Sequence, residues 1–345
     1  MGTWHCASAP PTPPEPTLRV LAFNLWHEGT AVEGGFDKIV DVIAASDADV
    51  IALSEVRNYD GEDLHGRLKH ALLAKGEPYH GFYVGGDVGL LSRWPILRAA
   101  PIFDDPDRAR GALMAYWLES PWGDEVLVAP VHLDYTNYAI YGPRGYDGNE
   151  FEIIDPDGDG EPNPITNLDV LHAMDAASGR DDILRAFVAY AEANQARGRS
   201  MILAGDFNES SHLDWTEATR DLYSHNGVVI QWKNSLMLHA AGFRDAWREL
   251  FPNPVTHPGA TWPSEAWRTD STSWAPKADE RDRVDMIYFT GNIEPREAWI
   301  VGSPSYYVYD QLAAPETQVP FALTDLPWPS DHKAVMVDFE FSLRE

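Results

Sequence analysis

Residues 201–208 read MILAGDFN: a short apolar run, then Gly205, then a carboxylate and a carboxamide two positions apart, Asp206 and Asn208. An apolar strand that ends in a glycine turn and sends two oxygen-bearing side chains to the same side of a sheet edge is built to hold something polar. Asn24, Glu55, His132, Asp285 and the pair Asp331 and His332 likewise stand at or next to the ends of apolar runs. Hard oxygen ligands at several strand ends suit Mg2+ or Mn2+, and a histidine beside a carboxylate suits a general base or a transition-state stabiliser. The combination describes a metal-assisted hydrolytic site. Taken singly, each residue has a plainer reading, since Asn and acids commonly close turns and a lone histidine is more often a satisfied structural residue than a ligand.

The elements that would position these groups follow an α/β pattern. LRVLAF (18–23) reads as a buried strand, FDKIVDVIAASD (36–47) has helical spacing with Ile39, Val42 and Ile43 on one face, and DVIALSEV (49–56) is the next strand. Further strands are predicted at GLLS (89–92), ALMAYWLE (112–119), EVLVAPVHL (125–133), VDMIYFT (284–290) and AVMVDFEF (334–341). A helix over 181–198, capped by Gly198, leads into MILAGDFN, and a helical patch covers about 235–250. Pro252–Asp282 is a loop rich in Pro, Trp and Ser, and Thr136–Arg180 reads as a long irregular insertion, of the kind that is usually functional or ligand-stabilised. With no internal repeat and no linker, the expected organisation is a leader over 1–17 followed by one domain over 18–345.

In order and wording these stretches resemble the endonuclease/exonuclease/phosphatase superfamily, the DNase I-like group. The matching segments are AFNLW with Asn24, IALSEV with Glu55, LLSRWPI at 90–96, VHL with His132, GDFN with Asp206 and Asn208, RVDMIYF with Asp285, and SDH with Asp331 and His332. GDFN or SDH alone would be weak; seven segments in order, from about Leu18 to Phe341, overturn the plainer readings of the single residues. The resemblance implies a four-layer α/β sandwich, two packed mixed β-sheets flanked by helices. It implies metal ligation by Glu55, with Asn24 and Asp331 beside it, and a catalytic His332 oriented by Asp285. Asp206 would position or deprotonate the attacking water, and Asn208 and His132 would hold phosphate oxygens. Such a division of labour suits phosphoryl transfer, which needs charge neutralisation and in-line water more than covalent chemistry. Ser54 stands where many relatives have glutamine, a departure that bears on how Glu55 is supported.

Composition narrows the substrate. Fifty-four acids against 26 bases, six of them lysines, leave a net charge of −28, which repels polyanions and disfavours unaided binding of nucleic acid. No apolar run approaches the roughly 18 residues of a membrane span. The single Cys6 excludes a disulfide framework within the chain, and the surrounding leader, ASAPPTPPEPT, should be extended and unstructured. Nothing in that leader has the form of an export signal. A cysteine on a Pro-rich tether also fits a lipid anchor, although Thr3, Trp4 and His5 do not form a lipobox; an ordinary tail is the alternative.

In the insertion, DPDGDGE sets Asp155, Asp157 and Asp159 at alternate positions before Gly160, the first half of an EF-hand-like loop whose twelfth position is Thr166 rather than glutamate. Glu161 or Asp169 could complete a different cage for a structural Ca2+; a plain acidic loop is the alternative. Weak calcium sites fill best outside the cytoplasm, which points to a periplasmic or extracellular protein. Trp262, Trp267 and Trp274 precede Asp285. They are expected as packing residues, with stacking on a sugar or base, or caging of a quaternary ammonium, as the alternative.

The reading that follows is a divalent-metal-dependent phosphoesterase. Its substrate would be a small-molecule, lipid-headgroup or glycan phosphodiester, bound with Mg2+ or Mn2+ as catalytic ion. A DNase I-like endonuclease is the alternative among enzymes, and a non-catalytic binding module that keeps the fold is the alternative from another class.

Overall fold

The computed structural model describes residues 16–103, 112–195, 199–265, 274–313 and 318–342. Residues 1–15 of the leader, Cys6 among them, the expected helix cap at Gly198, and Trp267 lie outside the described residues, and Thr17, expected to end the leader, opens the first strand.

In chain order the strands are β1 Thr17–Asn24, β2 Val50–Ser54, β3 Val88–Ser92, β4 Ile96–Phe103, β5 Ala112–Glu119, β6 Glu125–His132, β7 Ser200–Asp206, β8 Arg244–Asp245, β9 Asp285–Thr290, β10 Ile293–Val301, β11 Tyr307–Val308, β12 Gln311–Leu312, β13 Phe321–Ala322 and β14 Ala334–Phe341. The α-helices are α1 Gly35–Ser46, α2 Leu64–Ala74, α3 Leu168–Ala177, α4 Arg180–Gln195, α5 Lys233–Ala240 and α6 Ala246–Leu250. Two mixed six-stranded sheets form, ordered β13-β10-β14-β1-β2-β3 and β4-β5-β6-β7-β9-β8.

Both faces of the central strands are apolar because both are covered. Leu18, Val20 and Ala22 of β1 and Val50 and Ala52 of β2 meet Met114, Tyr116, Val126, Val128, Ile202 and Ala204 of the other sheet. The residues between them turn outward: Leu21, Phe23, Ile51 and Leu53 pack on α1 and α2, while Leu127, Ala129, Met201 and Leu203 pack on α4 and α5. Helix, sheet, sheet and helix therefore form the four layers that the sequence implied.

Several expectations need correction. Gly205 is not a turn: β7 runs through it to Asp206, paired with Val131 on one side and Met286 on the other. Its φ of +147° and the closeness of β6 explain the residue, since a Cβ there would meet the Val131 carbonyl oxygen at 2.0 Å. The 235–250 patch is two helices, α5 and α6, separated by β8. The insertion is not irregular throughout, because a 3-10 helix over Ala139–Arg144 and α3 both form within it. The Asn167 carboxamide caps α3 by accepting from the N–H groups of Asp169 and Val170. Sequence periodicity also passed over β4, β10 and α2. β4 is largely half-exposed, β10 carries Pro295 and a bulge, and α2 is only weakly amphipathic with polar residues between its buried leucines.

Gly205→Ala should lower stability by about 3 kcal/mol, the upper range for overpacking a core, read as a fall in the urea midpoint at unchanged slope. A wild-type midpoint would show that β6 can retreat from β7 at no cost.

Candidate active site

Strand register builds the site. His132, Asp206 and Asp285 are direct partners across β6, β7 and β9. In the other sheet Asn24 pairs with Ser54, one residue before Glu55, and β14 starts two residues after His332. The sheets are tied together there by the Ser54 hydroxyl, which donates to the Val131 carbonyl at 3.2 Å.

Asp206 is the centre. Its Oδ2 lies 3.6 Å from His132 Nε2 and 3.7 Å from His332 Nε2, and it accepts from the Asn24 amide at 2.9 Å. Its Oδ1 accepts from the backbone N–H of Asn208 at 2.9 Å. Each imidazole is backed by a carboxylate of its own: His132 Nδ1–H donates to Asp87 at 2.8 Å and His332 Nδ1–H donates to Asp285 at 2.9 Å. Burial lowers the proton affinity of both rings, but the surrounding carboxylates outweigh it. Asp87, then Asp206 and Glu55, push His132 up to about 9, and Asp285, Asp206 and Asp331 raise His332 well above the usual histidine range.

Glu55, just after β2, and Asp331, before β14, both line one cavity of about 340 Å3 with Asp206, Asn208, His132 and His332. Burial and the Glu55 charge raise the Asp331 carboxyl well above its ordinary value against the pull of His332. For Glu55 burial acts in the same direction, yet His132, His27, Arg57 and the His27 N–H at 2.7 Å hold the group below the ordinary range. The backbone at Glu55 is left-handed, φ 63°, at a cost of roughly 1–2 kcal/mol. The preceding loop holds this turn closed: Trp26, His27 and Glu28 are left-handed too, and Glu28 accepts from the N–H groups of Arg57 and Asn58 at 2.7 and 2.5 Å. Strain of this kind gathers at functional sites.

All eight residues expected at the site meet at this edge. Two have additional engagements. The Asn24 side-chain oxygen Oδ1 accepts from the Trp26 N–H at 3.0 Å, so Asn24 ties Asp206 to the first sheet as well as offering an oxygen. The Asn208 amide donates to the Leu133 carbonyl at 2.9 Å and approaches Asp206 at 3.4 Å, so contact with a substrate oxygen would exchange the longer of these. Two residues went unnoticed in the sequence. Asp87 could have been found, as an acid standing directly before β3, which pairs with β2 so that Val88 faces Ser54. Arg57, 2.9 Å from Asp87 and 3.7 Å from Glu55, joins the two halves of the network.

Two places suit a divalent cation. Glu55 and Asp331 are neighbouring carboxylates whose mutual repulsion a cation would relieve, a hard-oxygen donor pair in keeping with Mg2+ or Mn2+. Asp206, Asp285 and His332 bring ligand atoms within 4.8 Å of one another, and Asp285 Oδ1 is buried without a hydrogen-bond partner. Among the acids considered for calcium, Asp155, Asp157 and Asp159 form a second such group. Glu161 does not join it, since its carboxylate pairs with Lys277 at 2.8 Å, and Asp169 belongs to the first turn of α3. The Asp155 oxygens already accept from the N–H groups of Gly158, Asp159 and Gly160.

The profile of the Endonuclease/Exonuclease/phosphatase family matches residues 21–332. The chain belongs to this family. Its members are generally phosphoester hydrolases and typically depend on a divalent metal. The chain is 27% identical over 329 residues to the Caenorhabditis elegans protein F14F9.5, a match covering 94% of this chain and 91% of that protein. Among solved structures it is similar to an endonuclease/exonuclease/phosphatase from Beutenbergia cavernae, with 18% identity, 95% of this chain and 72% of that one covered, and TM-score 0.51. It is also similar to D. rerio TDP2 in complex with a single-strand DNA product, with 16% identity, 94% and 99% covered, and TM-score 0.53. At these identities the structures share the fold. Among the described residues no helix is long and apolar enough to cross a membrane.

Because the folded His132 value is raised from 6.5 to about 9, its contribution to stability is full below about pH 6.5 and is lost as pH rises through 9. In metal-free protein, Asp87→Asn should lower stability at pH 7 and flatten this decline, measured by urea unfolding at a series of pH values. An unchanged slope would break the assigned pairing.

Proposed function

We propose that the protein is a divalent-metal-dependent phosphodiesterase that hydrolyses a small-molecule, lipid-headgroup or glycan phosphodiester. The observation that carries this reading is the convergence of two carboxylate-backed imidazoles on one buried carboxylate, Asp206, at the edge of a cavity that also holds Glu55 and Asp331.

Glu55 and Asp331 would hold the ion, with the Asn24 oxygen adjacent; when bound, it neutralises charge on the phosphate and lowers the barrier to nucleophilic attack. The remaining work falls to the chain itself. Asp206 orients a water and accepts its proton as the water oxygen bonds to phosphorus; the ester oxygen on the opposite side departs as an alkoxide that takes a proton from solvent, and Asp206 returns its proton to solvent. His132 and Asn208 donate to the non-bridging oxygens. His332, held by Asp285, keeps its protonated Nε2 toward Asp206, where the imidazolium charge steadies the carboxylate and the negative charge that develops on the phosphate oxygens. The acidic composition supports a small substrate over a nucleic acid, and a DNase I-like nuclease is the second reading, favoured by the DNA-product complex of the D. rerio structure.

Hydrolysis of bis(p-nitrophenyl) phosphate should require Mg2+ or Mn2+; absence of turnover with Mg2+, Mn2+ and Ca2+ would sink the enzyme reading in favour of a binding module. His332→Ala should reduce turnover by roughly 10^2- to 10^4-fold with an unchanged circular dichroism spectrum, and near-normal rates would refute the role of His332. Glu55→Gln should shift activation to higher metal concentration. Plasmid cleavage at low salt outpacing small diesters would install the nuclease reading instead.

A further inference from the structure

Among the described residues six aromatic side chains line the same cavity: Trp26, Tyr135, Tyr138, Phe151, Trp262 and Trp274. Trp262 starts this wall against the catalytic group, its ring 4.9 Å from that of His332. Trp274 continues it, 5.2 Å from Trp262, 6.4 Å from Tyr135 and 4.3 Å from Phe151. Tyr138 and Trp262 are buried, whereas Trp26, Tyr135, Phe151 and Trp274 remain half-buried around the opening. Trp262 and Trp274 are thus packing residues, as the sequence suggested, but with one side turned to the cavity.

The platform beneath the rings is rigid. Arg180, itself buried, donates to the carbonyls of Asp134, Thr136 and Asn137 and to Asp175, tying the start of the insertion to its end. Tyr141 donates to Glu280 and accepts from the Trp262 indole at 3.2 Å, which locks the insertion to the tryptophan loop.

We infer that this aromatic wall is a cage for a quaternary ammonium group carried on the phosphodiester, so that the preferred substrate is an ester of phosphorylcholine type. The inference rests on the phosphodiesterase reading and names its substrate class. Ring geometry decides between the ligands that aromatic walls accept. A flat base needs a parallel face or an open slot between two faces. Among the described residues a near-parallel pair, Phe151 and Trp274 at 24°, is closed on itself, while Tyr135 and Trp274, Trp262 and Trp274, and Tyr138 and Phe151 are inclined by 46°, 50° and 73°. Inclined faces around a concavity suit a compact, roughly spherical cation, whose attraction to each ring is electrostatic and insensitive to in-plane shape. The net charge of −28 opposes a polyanion but not a zwitterion such as a choline phosphodiester, whose net charge is zero.

The test compares three chromogenic diesters with the metal-loaded protein: p-nitrophenyl phosphorylcholine, ethyl p-nitrophenyl phosphate and thymidine 5′-p-nitrophenyl phosphate. The choline ester should have the highest kcat/KM. Choline should inhibit where its neutral isostere 3,3-dimethylbutanol does not. Replacement of Trp274 by leucine, which keeps apolar bulk but removes the π face, should reduce the choline-to-ethyl ratio by roughly tenfold, and Trp274→Phe should restore most of it. Phe151→Leu offers the same readout should Trp274→Leu not fold. A preference for the thymidine ester, or equal rates for choline and ethyl esters, would overturn the cage and leave the phosphodiesterase intact. If no ester is turned over, the phosphodiesterase reading fails, and quenching of tryptophan fluorescence by choline but not by 3,3-dimethylbutanol would then uphold the cage by itself, its absence dismissing it.

Discussion

A carboxylate buried as deeply as Asp206 costs several kcal/mol unless charges and hydrogen bonds answer it. Its partners come from different parts of the chain: His132 from β6, His332 from the turn before β14, Asn24 from the end of β1, and its own loop through the Asn208 N–H. Each partner needs support in turn, which Asp87 and Asp285 supply to the two rings. Satisfying this one group therefore draws the facing edges of both sheets together. The close passage of β6 over Gly205 is part of the same arrangement, because it sets His132 directly beside Asp206.

The site thus has two layers of different origin. The inner layer is dictated by register: once β6, β7 and β9 are paired, His132, Asp206 and Asp285 form a row without further help from loops. The outer layer is made by the two long connections, the insertion and the tryptophan loop, which pack on one another through their own cluster of Tyr138, Tyr141, Tyr146, Leu171, Trp262 and Val284. A division of this kind lets the reacting centre stay fixed while the walls that choose a substrate vary, the usual arrangement for function carried on loops over a rigid scaffold.

What the sequence made legible follows the same division. The β-strands that bear the inner residues are strongly apolar and end in polar groups, so β1, β2, β6, β7, β9 and β14 could be read, and with them all eight residues that meet at the edge. Asp87 stands at a strand end as the other site residues do, but what it does there, holding His132, depends on a contact 45 residues away that its position alone does not show. Arg57 escaped for a similar reason, since its meaning is the bridge between Glu55 and Asp87. In the insertion, the acidic run drew attention to Asp155–Asp159, while the residues that line the cavity, Tyr135, Tyr138, Asn149 and Phe151, have no periodicity to mark them. Glu161 illustrates the limit of spacing arguments: Lys277, 116 residues away in sequence, takes its carboxylate.

The distribution of the basic residues sharpens what the net charge means. Arg144, Arg180, Arg248 and Arg283 are buried, paired with Asp282, Asp175, Asp214 and Asp245. Each removes a positive charge from the surface but takes an acid with it, so the internal pairs leave the net charge outside unchanged while drawing on a pool of only 26 bases. The bases left outside are therefore few, and acids still outnumber them there. Long-range steering responds to the net field and short-range binding to local cations. On this surface both work against a polyphosphate backbone, whereas a substrate with a single phosphate and a fixed positive charge meets neither obstacle.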